Sequence, residues 1–394
     1  MMQNGAYGLK QKFVQRSLTV DVLRGFALLG IIWVNAPFFA YNPTQTLPLE
    51  SSADYVAMWF TFTFASGKFF VLFSFLFGFG ISVMLSRSGE PKQRDVRGRY
   101  FRRAIGLWVI GLLHAVFLFF GDILILYGVL SLVIWLFRNR SDRFILILAG
   151  LAFLLGVMTQ TLVMLPQLWD MVEADAAAQK IGTGFAGSYR ESLPDRLMML
   201  PVAAVIVVFF NGAVACACFL FGYRVSRKRL FPLSPGELDD LARPAKNSLG
   251  IGLLFSGLAS AVYLASDYEN IFAYLVASVV ISLSAPLISF GLAIGVMRWA
   301  EQAGGNRLKA VFAKVGKMSL TGYILHSILL GFVFHGWGLG YFEKVGQAGV
   351  ILIAFGVFAA IALILNVWSR WFRYGPDEWL LRCFIDWKIK PLRN

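Results

Sequence analysis

Val20–Ala36 reads VDVLRGFALLGIIWVNA, a charged pair at the mouth of an apolar run with one amide, Asn35, near its far end. Taken from Leu18 to Phe39 the run has 22 residues, enough to cross about 30 Å of hydrocarbon at 1.5 Å per residue. At 100° per residue Arg24 and Asn35 fall about 20° apart after three turns, and Asp21 leads Arg24 by three positions. All three therefore share one helical edge. Polar groups inside lipid are costly, so such a stripe is a candidate functional site.

Runs of this kind recur to the end of the chain. Of 394 residues 58% are hydrophobic and 15% charged, with mean hydropathy +0.68. That excludes a soluble globular domain and predicts an all-α, multi-pass membrane helix bundle in contact with the lipid bilayer. Ten spans are expected: Leu18–Phe39, Tyr55–Leu85, Arg103–Phe120, Ile123–Phe137, Phe144–Leu165, Leu197–Tyr223, Ser248–Ala265, Ile271–Trp299, Met318–Gly338 and Gly346–Phe372. Ser66-Gly67-Lys68 predicts that the second is broken or strongly tilted, and the fourth is short for a bilayer.

A net charge of +14 would suggest nucleic acid for a soluble protein, but here its distribution excludes that partner. Alternate loops collect 31 of the 36 lysines and arginines, counting Arg24 with the N-terminal arm. The opposite side holds Lys180, Arg190, Arg196 and Lys344, and Lys68 lies within a span. Basic residues favour the cytoplasm, so both termini are expected there. The N-terminal Lys10, Lys12 and Arg16 imitate a secretion signal, yet the apolar core is too long and no small-x-small site precedes Pro37. An uncleaved first span is expected. Cys216 and Cys218, two apart on a helix, cannot bridge each other, and no thiolate or histidine cluster has metal-ligand spacing.

Smaller features carry alternatives. The outer segment Pro166–Arg196 is a lid or a solvated loop. Trp379, Leu380, Cys383, Phe384 and Trp387 share a face, which predicts an amphipathic helix on the membrane surface. Asp377 and Glu378, after Gly375-Pro376, read as first-turn acids favoured by the macrodipole. The basic cluster Arg94–Arg103 suits either the phosphates of an acyl-CoA or anionic lipid.

DVLRGFALLGIIWVN (21–35), GKFFVLFSFLFGFG (67–80), RRAIGLWVIGLLHAVFLFFGDILILYGVL (102–130), GKMSLTGYILHS (316–327) and RYGPDEWLLR (373–382) occur in this order. Together they resemble the YeiB family of bacterial inner-membrane proteins, whose C-terminal part is a domain of unknown function. That family is distantly similar to transmembrane acyltransferases of the acyltransferase-3 and heparan glucosaminide N-acetyltransferase types. The resemblance implies a multi-pass protein of the bacterial plasma membrane. Residues 1–223 would form the acyltransferase-like part, 224–247 a cytoplasmic linker and 248–394 the part of unknown function, in one integrated membrane domain. In acyltransferase-3 proteins the first span carries an Arg and, eleven residues on, a His thought to be catalytic. Arg24 matches the Arg, but Asn35 stands at the His position, and an amide is no general base.

A base must then come from elsewhere, and His114 is the candidate, or else it bonds a neighbouring helix. Asp122, eight residues on, could orient it only across a bend or through another group. Lys68 needs a partner, with Asp21, Asp54 and Asp122 as candidates, or it snorkels to water. Ser319, Tyr323 and His326 share a helical face and line a cavity or bond between helices. The leading expectation is a membrane acyltransferase that binds no resident cofactor and uses acyl-CoA, such as acetyl-CoA, as donor. It would carry the acyl group to a glycan or small-molecule acceptor at the outer face. His114, Asn35 and Asp122 would act in catalysis, with Asp21, Arg24, Lys68, Ser319, Tyr323 and His326 in binding. A transporter of a small anionic metabolite and a purely structural membrane protein are the alternatives.

Overall fold

The computed structural model describes residues 2–43, 49–86, 96–163, 182–228, 233–266, 270–302, 304 and 306–393. Its helices are α1 (Met2–Asn35), α2 (Ser52–Phe60), α3 (Lys68–Ser86), α4 (Val96–Phe117), α5 (Leu124–Phe137), α6 (Asp142–Val163) and α7 (Tyr189–Val205). The chain continues through α8 (Gly212–Arg227), α9 (Ala242–Ala265), α10 (Ile271–Glu301), α11 (Arg307–Lys317), α12 (Ser319–Phe334), α13 (Gln347–Trp368) and α14 (Pro376–Asp386). Among the described residues there is no strand, and the protein is an all-α, multi-pass bundle.

Among the described residues eight helices are long and apolar enough to cross a bilayer, or nine if the bent pair α11–α12 is one span. Large apolar side chains such as Leu151, Leu154, Met158, Leu352 and Leu363 stay exposed on its outside, as a lipid-facing surface requires. The expected fourth span corresponds to α5, which is not among these eight; its 14 residues reach about 21 Å, short of the hydrocarbon thickness. The expected span 197–223 is divided between α7 and α8. A π-helical turn, Ile206–Asn211, joins them, and Pro194 and Pro201 interrupt α7. The segment 166–196, expected on the outer side, lies outside the described residues as far as position 181, as does Arg94 of the basic cluster.

The stretch expected as loop 298–317 contains α11, which crosses α1 closely and meets α12 at a bend of 89°. Two glycines explain the approach. A Cβ on Gly25 would lie 2.2 Å from the Phe312 carbonyl oxygen, and one on Gly316 would lie 1.7 Å from that of Asp21. With the backbones this close, Val311, Phe312 and Val315 join the core around Leu28 and Ile32.

The second span is broken, as its sequence predicts. α2 runs into a π turn, Thr61–Ala65, and Gly67 at φ +79° redirects the chain into α3. The break frees carbonyls, and Lys68 meets them. Its buried ammonium donates to the Phe62 carbonyl and to Ser256 Oγ at 3.2 Å. None of Asp21, Asp54 or Asp122 is its partner. Asp54 instead caps α2 and accepts from the Ala348 N–H at 3.1 Å, while Asp21 pairs with Arg24 at 3.4 Å. Lys68→Met leaves the Phe62 carbonyl only the long 3.5 Å contact from Ser256 Oγ, so we expect a loss of about 1–3 kcal/mol. The check is a lowered Tm of the detergent-solubilised protein.

Candidate active site

α4 ends beside its only histidine. The Leu118 and Phe119 N–H groups both donate to the His114 carbonyl, at 2.8 and 2.9 Å, and the chain turns through Gly121-Asp122 into α5. Asp122 Oδ1 accepts from the Ile125 N–H at 2.9 Å, satisfying a donor at the start of α5. Its other oxygen, Oδ2, lies 2.7 Å from His114 Nδ1. The turn therefore brings carboxylate to imidazole directly, with no third group between them. Gly111 makes room, since a Cβ there would lie 2.6 Å from Asp122 Oδ1.

The other imidazole nitrogen faces α12. His114 Nε2 and Ser327 Oγ are 2.8 Å apart. With Asp122 holding the proton on Nδ1, Nε2 is the free base and the serine hydroxyl donates to it. Ser327, His114 and Asp122 thus form the hydroxyl–imidazole–carboxylate array that raises the nucleophilicity of a serine. All three are buried. Sequence reasoning chose His114 and Asp122 and missed Ser327, although it follows Tyr323 by four residues and so shares its helical face.

Tyr323 and His326 complete the cluster. The Tyr323 ring lies 4.9 Å from that of His114 and 4.8 Å from that of His326, and its hydroxyl accepts from the Ile123 N–H at 3.3 Å. His326 donates from Nδ1 to the Tyr323 carbonyl, which leaves Nε2 to accept from Asn35 Nδ2 at 3.2 Å. The position where the acyltransferase-3 pattern puts a histidine thus carries an amide bonded to a histidine from α12.

α14 holds α12 in place. Glu378 accepts from the N–H groups of Leu320 (2.7 Å) and Thr321 (3.2 Å) and from Thr321 Oγ1 (2.7 Å). It thereby caps the end of α12 nearer Arg24, beyond the first-turn role expected of it in its own helix. Burial pushes its carboxyl above the ordinary value, and the Thr321 and Leu320 bonds pull it back. α14 was expected to lie on the membrane surface, with Phe384 on the same face as Trp379, Leu380, Cys383 and Trp387. That face is divided, since Leu381 and Phe384 approach Gly106 of α4 while Leu380 and Trp387 remain exposed.

Its inner face closes a cavity of about 340 Å³. Arg24, Arg99, Arg103, Lys317 and Arg382 line it together with Glu378 and Asp386, and Leu107, Ile123, Leu124 and Tyr323 border it as well. Ser319 and Tyr323 both line it, whereas Lys68 does not. Tyr323 is thus the common wall between this basic cavity and His114. Asp21, Arg24, Asn35, His114, Asp122, Ser319, Tyr323 and His326 are linked in this way, and Lys68 stands apart at the break of the second span.

Two families match the chain in tandem. Residues 16–179 match "Heparan-alpha-glucosaminide N-acetyltransferase, catalytic", and residues 225–388 match "Protein of unknown function (DUF418)". Among similar proteins are YxaH of Bacillus subtilis (29% identical, covering 95% of this chain and 96% of the relative) and YeiB of Escherichia coli (25%, covering 94% and 96%). A 39.9 kDa protein encoded in the amylase 3′ region of Bacillus acidopullulyticus is 24% identical, with 93% of each chain covered. No solved structure matches significantly. The junction of the two families, residues 179–225, falls at α7 and α8, and the site draws His114 and Asp122 from the first and Ser327 from the second. The chain is thus similar to YeiB and YxaH over most of its length, a membrane protein in which the region matching the acetyltransferase model and the region matching DUF418 share one cluster of buried side chains.

Proposed function

We propose that the protein is a membrane acyltransferase that takes an acyl group from a cytosolic thioester and delivers it to an acceptor reached from the opposite face. The observation that carries this reading is the Ser327–His114–Asp122 array standing behind a basic cavity. An acyl-CoA presents phosphates and a thioester at the two ends of a flexible arm, which suits cations at the mouth and a nucleophile beyond Tyr323. In a bacterial plasma membrane oriented with its basic face inward, that mouth opens to the cytosolic donor pool.

Ser327 Oγ attacks the thioester carbonyl while His114 Nε2 takes its proton, and the imidazolium returns that proton to the departing thiolate. The product is an ester on Ser327 and a free thiol. A hydroxyl or amine of the acceptor then attacks the ester and gives its proton to His114, which hands it to the Ser327 oxygen as the acyl group leaves. Asp122 keeps the imidazole in the right tautomer and stabilises its charged form. Asn35 acts through His326, whose ring it orients against Tyr323.

The test is direct. Purified protein incubated with radiolabelled acetyl-CoA and no acceptor is expected to gain up to one acetyl group per chain, on Ser327 by mass spectrometry. Ser327→Ala protein of unchanged Tm is expected to remain unlabelled. Label elsewhere, or full acyl transfer by the folded Ser327→Ala variant, would overturn the serine route.

A further inference from the structure

At the opposite end of the bundle a second cluster has donors without acceptors. Phe39 follows Arg24 by fifteen residues on the first span, which is about 22 Å at 1.5 Å per residue. Its ring lies 6.2 Å from that of His326 and 5.8 Å from that of His335. Phe39 thus separates the site above from His335, which stacks on Phe185 at 4.8 Å. Trp337 is 6.4 Å from His335 and 6.1 Å from Tyr189, ring to ring. The Arg196 guanidinium lies over the Tyr189 ring at 4.7 Å, so these side chains are contiguous.

Their polar atoms are not satisfied. Arg196 is 1% exposed and His335 3%, yet Arg196 Nε, His335 Nδ1 and Trp337 Nε1 have no hydrogen-bond partner among the described residues. Among the described residues the guanidinium donates one hydrogen bond, to Ser192 Oγ at 2.8 Å. The nearby carboxylates are committed to backbone. Asp195 Oδ2 accepts from the Gly182 and Gly184 N–H groups at 2.9 and 2.7 Å, and Glu191 accepts from the Ser188 N–H at 2.6 Å. A buried donor left unmade costs about 1–3 kcal/mol, and buried polar groups are ordinarily paired. A buried cation and two ring nitrogens left open within one contiguous cluster suit an oxyanion.

We propose that Arg196, His335 and Trp337 bind an oxyanion, a carboxylate or phosphate carried by the acyl acceptor at the outer face. The word acceptor rests on the acyl-transfer reading, whereas the oxyanion site itself does not. The aromatic walls, Tyr189, Trp337 and Phe185, would cover the apolar face of the molecule that bears the anion. The acceptor's nucleophile would then point past Phe39 toward His326 and Ser327.

The experiment measures binding without any donor. Full-length protein in a zwitterionic detergent is titrated with inorganic phosphate, with glucuronate and with a short-chain phosphatidylglycerol, and the Tm is followed. We expect at least one probe to raise the Tm saturably, the phospholipid alone if the anion sits on a lipid headgroup, or the water-soluble acids if it does not. Arg196→Gln should weaken that binding at least tenfold. Because Arg196 is buried and its variant can misfold, Trp337→Phe, which keeps the ring and removes the N–H, should weaken it by about threefold or more. Lys344→Gln, outside the cluster, and Ser327→Ala should bind as the parent does. No saturable shift with any probe, or equal shifts in parent and Trp337→Phe, would overturn the site. Saturable binding with Ser327 unlabelled by acetyl-CoA would keep the site and sink only the acyl-transfer reading.

Discussion

Replacing His114 by alanine is expected to lower the rate of acyl transfer by about 10³–10⁴, with Asp122→Asn close behind it. The argument starts from the two nitrogens of one ring. Nδ1 is held by Asp122 at 2.7 Å and Nε2 meets Ser327 at 2.8 Å, so the carboxylate dictates which nitrogen is basic. Asn at position 122 can present its amide N–H to Nδ1, which moves the ring proton to Nε2 and points it at the serine. The base is then lost while the shape of the site is kept. A structural role predicts something different. Had His114 only bridged α4 to α12, Asp122→Asn would lower the Tm and spare the rate of the surviving folded fraction. We therefore expect Asp122→Asn to keep its Tm within a few degrees and to lose label on Ser327 from acetyl-CoA. A folded His114→Ala variant with full transfer activity would remove His114 from the chemistry.

Much of this architecture is legible in the sequence because lipid enforces it. Apolar runs must be helices when no water is present to satisfy the backbone, so the span of α1 and the long spans α6, α9, α10 and α13 follow from run length and hydropathy. What hydropathy cannot convey is a helix that crosses partway or lies across its neighbours. α11 carries Arg307, Lys309, Lys314 and Lys317 and reads as a loop, and only the paired glycines Gly25 and Gly316 admit it against α1. The site is half legible for the same kind of reason. His114 and Asp122 stand out as rare polar groups near apolar spans, but the turn that lets them meet depends on Gly111 and on the α5 N-terminus. Ser327 is an ordinary residue for a membrane helix, and it becomes notable only when His114, 213 positions away, is placed beside it. Lys68 shows the converse. A lysine inside an apolar span stands out in any sequence, yet its partners are one carbonyl at a π turn and a serine hydroxyl 188 positions away, which no local pattern of side chains reveals.

Arg103→Gln is expected to raise the KM for the thioester donor by about 10–100-fold and to leave kcat nearly unchanged. Several of the other charges at the cavity have partners that limit them. Arg99 meets Asp386 at 2.8 Å, Arg24 meets Asp21 at 3.4 Å, and Glu378 is spent on the end of α12. The Arg103 guanidinium lies over the Phe77 ring at 4.9 Å, and among the described residues no ion pair holds it. A planar donor fork braced on an aromatic face is suited to a phosphate entering the cavity. A hydrogen bond to a charged group contributes about 1.5–3 kcal/mol, which corresponds to the stated range in affinity. Arg103 belongs to α4 with His114, eleven residues or about 16 Å of helix away, too far to touch the reacting carbonyl. Its loss should therefore weaken ground state and transition state alike, the signature of uniform binding. Arg103→Lys keeps the charge and loses the fork, so its KM should fall between the two. Added salt should raise the KM of the parent more than that of Arg103→Gln. If instead kcat falls while KM holds, Arg103 braces α4 and the donor's phosphates are bound elsewhere; if neither changes, the basic cavity is not the donor's entrance.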